Sequence, residues 1–160
     1  MVSREEQGPV KTTETIYITF DVDWAHDSIL RWCIDLCRQQ GVRATYYVTH
    51  ETDCLDLVRN DPQFELGIHP DFNPMLERTN GSKTVLSVLS ELKEIVPTAT
   101  SIRSHGIVQS ARLLDAFLDN GITHDSNTWI PHWSEIEIKA WKDWNGLVMV
   151  PFFGPMTYIA

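Results

Sequence analysis

Short apolar runs alternate with amphipathic stretches along most of the chain. The apolar runs are rich in Ile, Val, Tyr and Phe and are bounded by turn residues, which predicts short β-strands. The predicted strands are 16–20, 44–48, 64–68, 101–103, 121–124, 136–139 and 147–152. Most of them are separated by segments long enough to hold a helix.

The intervening segments carry apolar residues every three or four positions, the spacing of one helix face. They predict helices over 27–39, 52–60, 83–95 and 111–119. Gly41, Pro62, Pro97 and Gly121 follow the four helices as stop signals, and Ser82 is placed to cap the third. Strands alternating with helices indicate an α/β fold built on a parallel sheet or barrel.

Polar side chains follow several of the predicted strands at the point where each ends. Chemistry in parallel α/β folds lies at the carboxyl ends of the strands, so these residues are expected to converge. They are Asp21 and Asp23 after the first strand, His69, Asp71 and Asn73 after the third, Arg103 and His105 after the fourth, and His124 and Asp125 near the fifth.

Asp21 and Asp23 are one residue apart at the end of an apolar strand. Two such carboxylates are costly if both are charged and unpaired. A divalent cation removes that cost, since one Asp can bind the metal while the other acts as a general base. The alternative is that Asp23 caps the following helix and Asp21 is solvated or paired with an arginine.

His69 is a ligand type that suits zinc when combined with a carboxylate and one further donor. Asn73 lies four residues later, but Pro74 disfavours helical geometry at Asn73 and predicts a shaped loop. The alternatives are a core histidine held by a backbone hydrogen bond and an asparagine that begins a turn.

Arg103 can hold a basic aspartate in its charged state and orientation. His105 is a candidate third ligand, general acid or substrate contact; the alternative is a salt bridge beside a partly exposed histidine. The chain also has tryptophans near its carboxyl end, which are expected to pack over the core, with stacking on a sugar ring as the alternative. They are Trp129, Trp133, Trp141 and Trp144.

Taken together, the segments "TFDVDW", "GIHPDFN", "IRSHG" and "THDSN" resemble the ordered motifs of the polysaccharide deacetylase (NodB-homology) superfamily. The resemblance runs from about residue 16 to residue 150. It implies a distorted, incomplete (β/α) barrel of about seven strands. It also implies a metal-dependent hydrolase that removes an acetyl or similar acyl group from a carbohydrate or nucleotide-sugar substrate.

The resemblance also assigns roles to individual residues. Asp21 is the implied base and Arg103 orients it, with Asp125 as a possible partner of Arg103. Asp23, His69 and Asn73 are the implied ligands of a divalent ion, with zinc expected. The proton donor is left open between His105, the first choice, and His124, the second.

Three features depart from the family pattern. Asn73 stands where the second motif usually has its second histidine, and Trp24 stands where glycine usually follows the acids. The segment "LVMVPFFGPMTYIA" lacks the fifth motif, which normally supplies a general-acid histidine. The competing hypothesis is therefore a non-catalytic relative that binds a saccharide or a protein.

Length, charge and composition further narrow the expected domain organisation, partners and cellular setting. The 160 residues indicate one domain over 15–160, preceded by a disordered head over 1–14. The net charge of −9 argues against nucleic acid or an anionic membrane as the partner. No apolar run is long enough to span a membrane, and the amino terminus has no signal-peptide pattern. Three unpaired-looking cysteines and this terminus predict a cytoplasmic setting.

Overall fold

The computed structural model describes residues 16–76, 83–131 and 133–153. The predicted head over 1–14 and the predicted cap Ser82 lie outside these ranges. In chain order the elements are β1 (Ile18–Asp21), α1 (Asp27–Gln39), β2 (Ala44–Val48), α2 (Leu55–Arg59), β3 (Phe64–Ile68), α3 (Asn73–Leu76), α4 (Val85–Ile95), β4 (Ser101–Ile102), a 3₁₀ turn (His105–Ile107), α5 (Ala111–Asp119), β5 (His124–Asp125), β6 (Trp141–Lys142) and β7 (Val148–Met149).

The described strands form one seven-stranded sheet in the order β1-β2-β3-β4-β5-β7-β6. All neighbours are parallel except β6 and β7, which are antiparallel. Among the described residues β1 and β6 are its two edges, so the sheet is open. The predicted α/β architecture of about seven strands in an incomplete barrel is confirmed. The carboxyl ends of β1 to β5 lie at one edge, which collects the polar residues that follow them.

Two apolar clusters hold the helices against the sheet. The larger cluster joins β3 and β4 to α4 and α5 through fully buried residues that include Ile68, Leu89, Ile102 and Phe117. The smaller cluster joins α1, β2 and α2, with Ile34 at its centre. Removing such a side chain from water stabilises the fold by about 1.5–3 kcal/mol each. The strand ends that carry the polar residues therefore rest on a rigid base.

Side chains cap the first turns of α1 and α4, although the capping residues differ from those that the sequence suggested. Thr84 rather than Ser82 caps α4, and it exchanges hydrogen bonds with Ser87 in a capping box. His26 caps α1 by accepting from the Ser28 N–H, so Asp23 is not the cap. The loop expected at Asn73 is instead the start of the short helix α3. Pro74 is tolerated there because the first turn of a helix needs no N–H donor.

The carboxyl-terminal part of the chain contradicts two predictions. Residues 136–139 do not form a strand; the edge strand β6 is Trp141–Lys142. The predicted packing of the late tryptophans over the core is wrong for three of them. Trp133, Trp141 and Trp144 are exposed, while Trp129 is half-buried and bridges to Phe152.

None of the helices in the described ranges has both the length and the apolar character needed to cross a membrane. Cys37 and Cys54 are buried free thiols, and Cys33 is half-buried.

Candidate metal and catalytic site

Three strand ends supply the candidate site. Asp21 ends β1 and Asp23 follows it, His69 follows β3, and Arg103 and His105 follow β4. The parallel register brings these ends to one edge, since Asp21 lies opposite Tyr47 of β2 and Ile68 lies opposite Ile102 of β4. Polar contacts link the five side chains in a row from Arg103 to His105. Arg103 contacts Asp21 at 3.0 Å, and Asp21 lies 3.9 Å from His69. His69 and His105 both contact Asp23.

Asp23, His69 and His105 form a compact cluster. Asp23 Oδ1 lies 3.2 Å from His69 Nε2 and 2.9 Å from His105 Nδ1. The donor atoms of the three residues all lie within 4.8 Å of one another. Asp23 has a positive φ of 44°, which an aspartate tolerates better than most residues. The Thr49 hydroxyl holds this turn by donating to the Asp23 backbone carbonyl.

The two histidines hold Asp23 in its charged form. The hydrogen bond from His69 lowers the pKa of Asp23 below its ordinary value, and His105 adds to this effect. Burial opposes the shift only in part. At neutral pH the cluster therefore presents one carboxylate and two imidazoles to the same point.

The donor set fits a divalent ion. His69 is 3% exposed, and its Nδ1 has no hydrogen-bond partner among the described residues, lying 3.9 Å from Asp21 Oδ1. A buried histidine held by a backbone bond, the alternative for this residue, does not describe that environment. One carboxylate and two imidazoles match the three protein ligands of catalytic zinc sites.

Arg103 is buried behind Asp21. Its Nη1 donates to Asp21 Oδ1 at 3.0 Å and to Thr19 Oγ1 at 3.0 Å. The guanidinium plane lies between two rings, with its Cζ atom 4.7 Å from the centroid of Tyr47 and 4.3 Å from that of Phe152. A guanidinium fixed on both faces and at its edges holds the Asp21 carboxylate in one orientation.

The segment after β5 completes the support of Arg103. Ser126 accepts from Arg103 Nε through its carbonyl at 3.0 Å and from Nη2 through its hydroxyl at 2.8 Å. Asp125, the expected partner, instead accepts from the backbone and side-chain nitrogens of Asn127. Asn127 Oδ1 then accepts from the Ser104 N–H at 2.8 Å. This segment thus locks residues 103 and 104 in place without a second ion pair to Arg103.

Asp125→Asn is expected to change the pH dependence of stability. Burial raises the pKa of the Asp125 carboxyl above its ordinary value, although the hydrogen bonds from Asn127 oppose the shift. The folded state therefore binds this proton more tightly than the unfolded state, and the associated stability is lost as pH rises through the folded pKa. The free energy of unfolding of the wild type minus that of the variant should fall as the pH rises from about 4, the ordinary aspartate pKa. Urea denaturation of both proteins measures it; a difference that rises with pH would contradict the assignment.

Of the two other predicted site residues, Asn73 lies near this cluster and His124 does not. Asn73 begins α3, and its side-chain amide lies against Gly106, the residue after His105: a Cβ built on Gly106 would be 3.7 Å from Asn73 Nδ2. His124 is exposed at the start of β5, where its Nδ1 contacts the Thr123 hydroxyl. It is not part of the cluster.

A cleft of about 380 Å³ opens beside the cluster. Its lining includes His69, Trp24, Thr49, His50 and Asp71. Trp24 is 62% exposed, and its ring stands edge-on to His105 with the centroids 5.2 Å apart.

Sequence reasoning overlooked several supporting residues. They are Thr49 and His50 after β2, Tyr47 within it, Ser126 and Asn127 after β5, and Phe152. The positions of Thr49, His50, Ser126 and Asn127 directly after strands were the available signal. Nothing in the sequence indicated that Tyr47 and Phe152 enclose the guanidinium of Arg103.

Comparison with known proteins agrees with this geometry. A crystal structure from Bordetella bronchiseptica, described as a polysaccharide deacetylase involved in O-antigen biosynthesis, is 38% identical with a TM-score of 0.82; the match covers 86% of this chain and 57% of that one. A family 4 carbohydrate esterase from Streptomyces lividans, in complex with acetate, is 21% identical with a TM-score of 0.55 and coverages of 69% and 60%, and it shares the fold. None of the curated proteins compared with the chain matches it significantly.

The chain thus spans somewhat under two thirds of the length of each of these two structures. The family described as WbmS-like polysaccharide deacetylase matches residues 18–155. The ordered motifs, the sheet and the cluster at its carboxyl edge all accord with that match, and the chain belongs to the WbmS-like polysaccharide deacetylase family.

Proposed function

We propose that this protein is a metal-dependent hydrolase that removes an acetyl or similar acyl group from a carbohydrate. The observation that carries the proposal is the cluster of Asp23, His69 and His105, placed beside an Asp21 carboxylate held by Arg103. The three-residue cluster is suited to bind a cation, and the adjacent Asp21 carboxylate is suited to accept a proton. Both are needed to hydrolyse an unactivated acyl group with water.

Asp23, His69 and His105 would hold the ion, with zinc as the expected metal. A divalent ion bound there would polarise the acyl carbonyl and acidify a water molecule. His105 takes the place of a ligand in this proposal because its Nδ1 shares the Asp23 carboxylate with His69. Asn73, the ligand that the family resemblance implies, lies beside this set and is a weaker donor than imidazole.

Asp21 accepts the proton of the attacking water in this proposal. Its Oδ1 accepts a hydrogen bond from Arg103 Nη1, which leaves its second oxygen for the water. The Arg103 side chain is itself fixed by Ser126, Tyr47 and Phe152, so the base is oriented before the substrate arrives. Such preorganisation avoids the cost of ordering the group during the reaction.

A carbohydrate substrate is supported by the family and by the cleft. The related B. bronchiseptica structure is described as involved in O-antigen biosynthesis, a polysaccharide context. In this chain an exposed indole, Trp24, lines the cleft beside His69 and is braced by His105. A flat aromatic face beside polar groups is suited to a sugar ring, whose apolar C–H face packs on it.

Trp24→Ala is expected to raise KM for an N-acetylated oligosaccharide by about 3- to 10-fold, the equivalent of one lost aromatic contact. The rate constant kcat should change little, since Trp24 touches no group that transfers a proton. Trp144→Ala is the matched control, because Trp144 is similarly exposed (67%) but does not line the cleft. Steady-state kinetics of acetate release measure both; equal effects of the two substitutions would remove Trp24 from the substrate site.

Acetate release from N-acetylglucosamine oligomers and from 4-nitrophenyl acetate tests the proposed function. The zinc-loaded protein should hydrolyse at least one of them, chelation should abolish turnover, and added zinc should restore it. Binding of the oligomers without turnover, unaffected by chelator, would instead favour the non-catalytic carbohydrate-binding relative.

A further inference from the structure

We propose that His50 is the proton donor to the leaving group, a role that no motif of the sequence assigns. This inference rests on the proposed hydrolase function. It replaces His105, whose ring is engaged by Asp23, and His124, which is exposed at the start of β5 and contacts Thr123. The task of the residue is to protonate an amine or alkoxide that is too basic to leave unaided.

His50 lies directly after β2, at the same sheet edge as the cluster. It is half-buried and lines the cleft together with His69 and Trp24. Its neighbour Thr49 holds the Asp23 backbone through a hydrogen bond to the carbonyl oxygen. His50 therefore directly follows the residue that holds the Asp23 turn, and it faces the space where a substrate would lie.

Hydrogen bonding fixes the tautomer of His50. The Asp23 carbonyl can only accept, so the single proton of the Thr49 hydroxyl is donated to it. Thr49 Oγ1 must then accept from His50 Nδ1, which lies 2.8 Å away. Nδ1 thus keeps its hydrogen, and Nε2 is the nitrogen that gains and loses a proton. Among the described residues, Nε2 has no hydrogen-bond partner.

The other titratable groups that line the cleft are occupied. Glu51 is paired with Arg59 at 3.1 Å, and Glu91 is paired with Lys83 at 2.6 Å. Asp71 accepts from the Asn73 N–H at 2.9 Å, and His69 belongs to the cluster. Each of these carboxylates therefore already accepts from a cation or an N–H donor. Of the two imidazoles in the described lining, only His50 has an Nε2 without a hydrogen-bond partner, since His69 Nε2 contacts Asp23.

The proposed reaction passes one proton from water to Asp21 and one proton from His50 to the leaving group. The water oxygen bonds to the acyl carbon and its proton passes to Asp21. The bond between the acyl carbon and the leaving nitrogen or oxygen then breaks with its electron pair on the leaving atom, which takes the proton from His50 Nε2. Solvent returns a proton to His50 and removes one from Asp21. Each turnover therefore consumes one water and yields the free amine or alcohol and acetic acid, which releases its proton to solvent as acetate.

His50→Gln tests the step by leaving-group dependence. Hydrolysis of 4-nitrophenyl acetate needs no donor, because nitrophenolate leaves without a proton; its rate should change by less than about tenfold. Release of acetate from an N-acetylated or alkyl-linked sugar should fall by about 10²- to 10⁴-fold. Zinc content measured by elemental analysis should equal that of the wild type, and the control His124→Gln should match the wild type on both substrates.

Equal loss on both substrates, or lost zinc in His50→Gln, would assign His50 a structural role and overturn the proposal. Wild-type protein that hydrolyses neither substrate would overturn the hydrolase function itself, which distinguishes the two failures. Selective loss on the poor leaving group supports both.

Discussion

Asp21→Asn is expected to lower kcat for acetate release by about 10²- to 10⁴-fold, the usual contribution of a positioned general base. The amide keeps an oxygen that can accept from Arg103 Nη1, so the fold and the Arg103 contacts are retained. It cannot take a proton from water. Zinc affinity should stay within a few-fold of wild type, because Asp21 is not among the three residues of the cluster. Steady-state kinetics and calorimetric zinc titration measure the two effects.

The matched control for this substitution is Asp56→Asn. Asp56 pairs with Arg59 on the exposed surface of α2, and such a pair contributes about 1 kcal/mol at most. Its loss should leave kcat unchanged. If Asp21→Asn weakened zinc binding strongly but kept a kcat near that of the wild type at saturating zinc, Asp21 would be a ligand rather than the base.

His105→Ala is expected to weaken zinc binding by more than about 100-fold, whereas Asn73→Ala should weaken it by about tenfold or less. The difference follows from chemistry and position. His105 offers an imidazole 2.9 Å from the Asp23 carboxylate, and Asn73 offers an amide that lies against Gly106. Calorimetric titration of zinc into each metal-free protein measures the ranking.

The reverse ranking would contradict this ligand set. Zinc affinity lost in Asn73→Ala and retained in His105→Ala would restore the assignment that the family motif implies, with His105 free to act as an acid. Circular dichroism of both metal-free variants controls for unfolding, since neither residue belongs to the buried apolar clusters.

The sequence located Asp21, Asp23, His69, Arg103 and His105 because each directly follows an apolar run that became a strand. In a parallel sheet that rule alone brings distant residues together. Applying this rule requires strand boundaries that are correct to within a residue or two, and it requires no side-chain distances. Helices α1 and α5 were predicted at their observed bounds for a different reason. A strong apolar face and a following glycine mark both of them.

The division of roles within the site was not predictable in this way. The family resemblance paired His69 with Asn73, four residues later, as metal ligands. In three dimensions the chain enters α3 at Asn73, while the 3₁₀ turn after β4 carries His105 to the Asp23 carboxylate. Which of two candidates approaches a carboxylate depends on loop geometry that no local pattern encodes.

Failures near the carboxyl end have a different cause. Residues 136–139 alternate apolar and polar side chains like a strand, but Ile136 and Ile138 are both exposed, and no strand of the described residues pairs with them. Strand formation depends on pairing and burial, which alternation alone does not supply. The same limit misplaced the late tryptophans, whose hydrophobicity predicted a core position that the described structure does not provide.

The most direct test of the metal-dependent account is the metal content of the purified protein, measured by elemental analysis beside His69→Ala and His124→Ala. The account predicts about one equivalent of zinc or a similar divalent metal in the wild type, as in mononuclear catalytic sites. The metal should be lost in His69→Ala and retained in His124→Ala. A wild-type protein that holds no metal even after zinc is added back would contradict the account, as would an undiminished equivalent in His69→Ala.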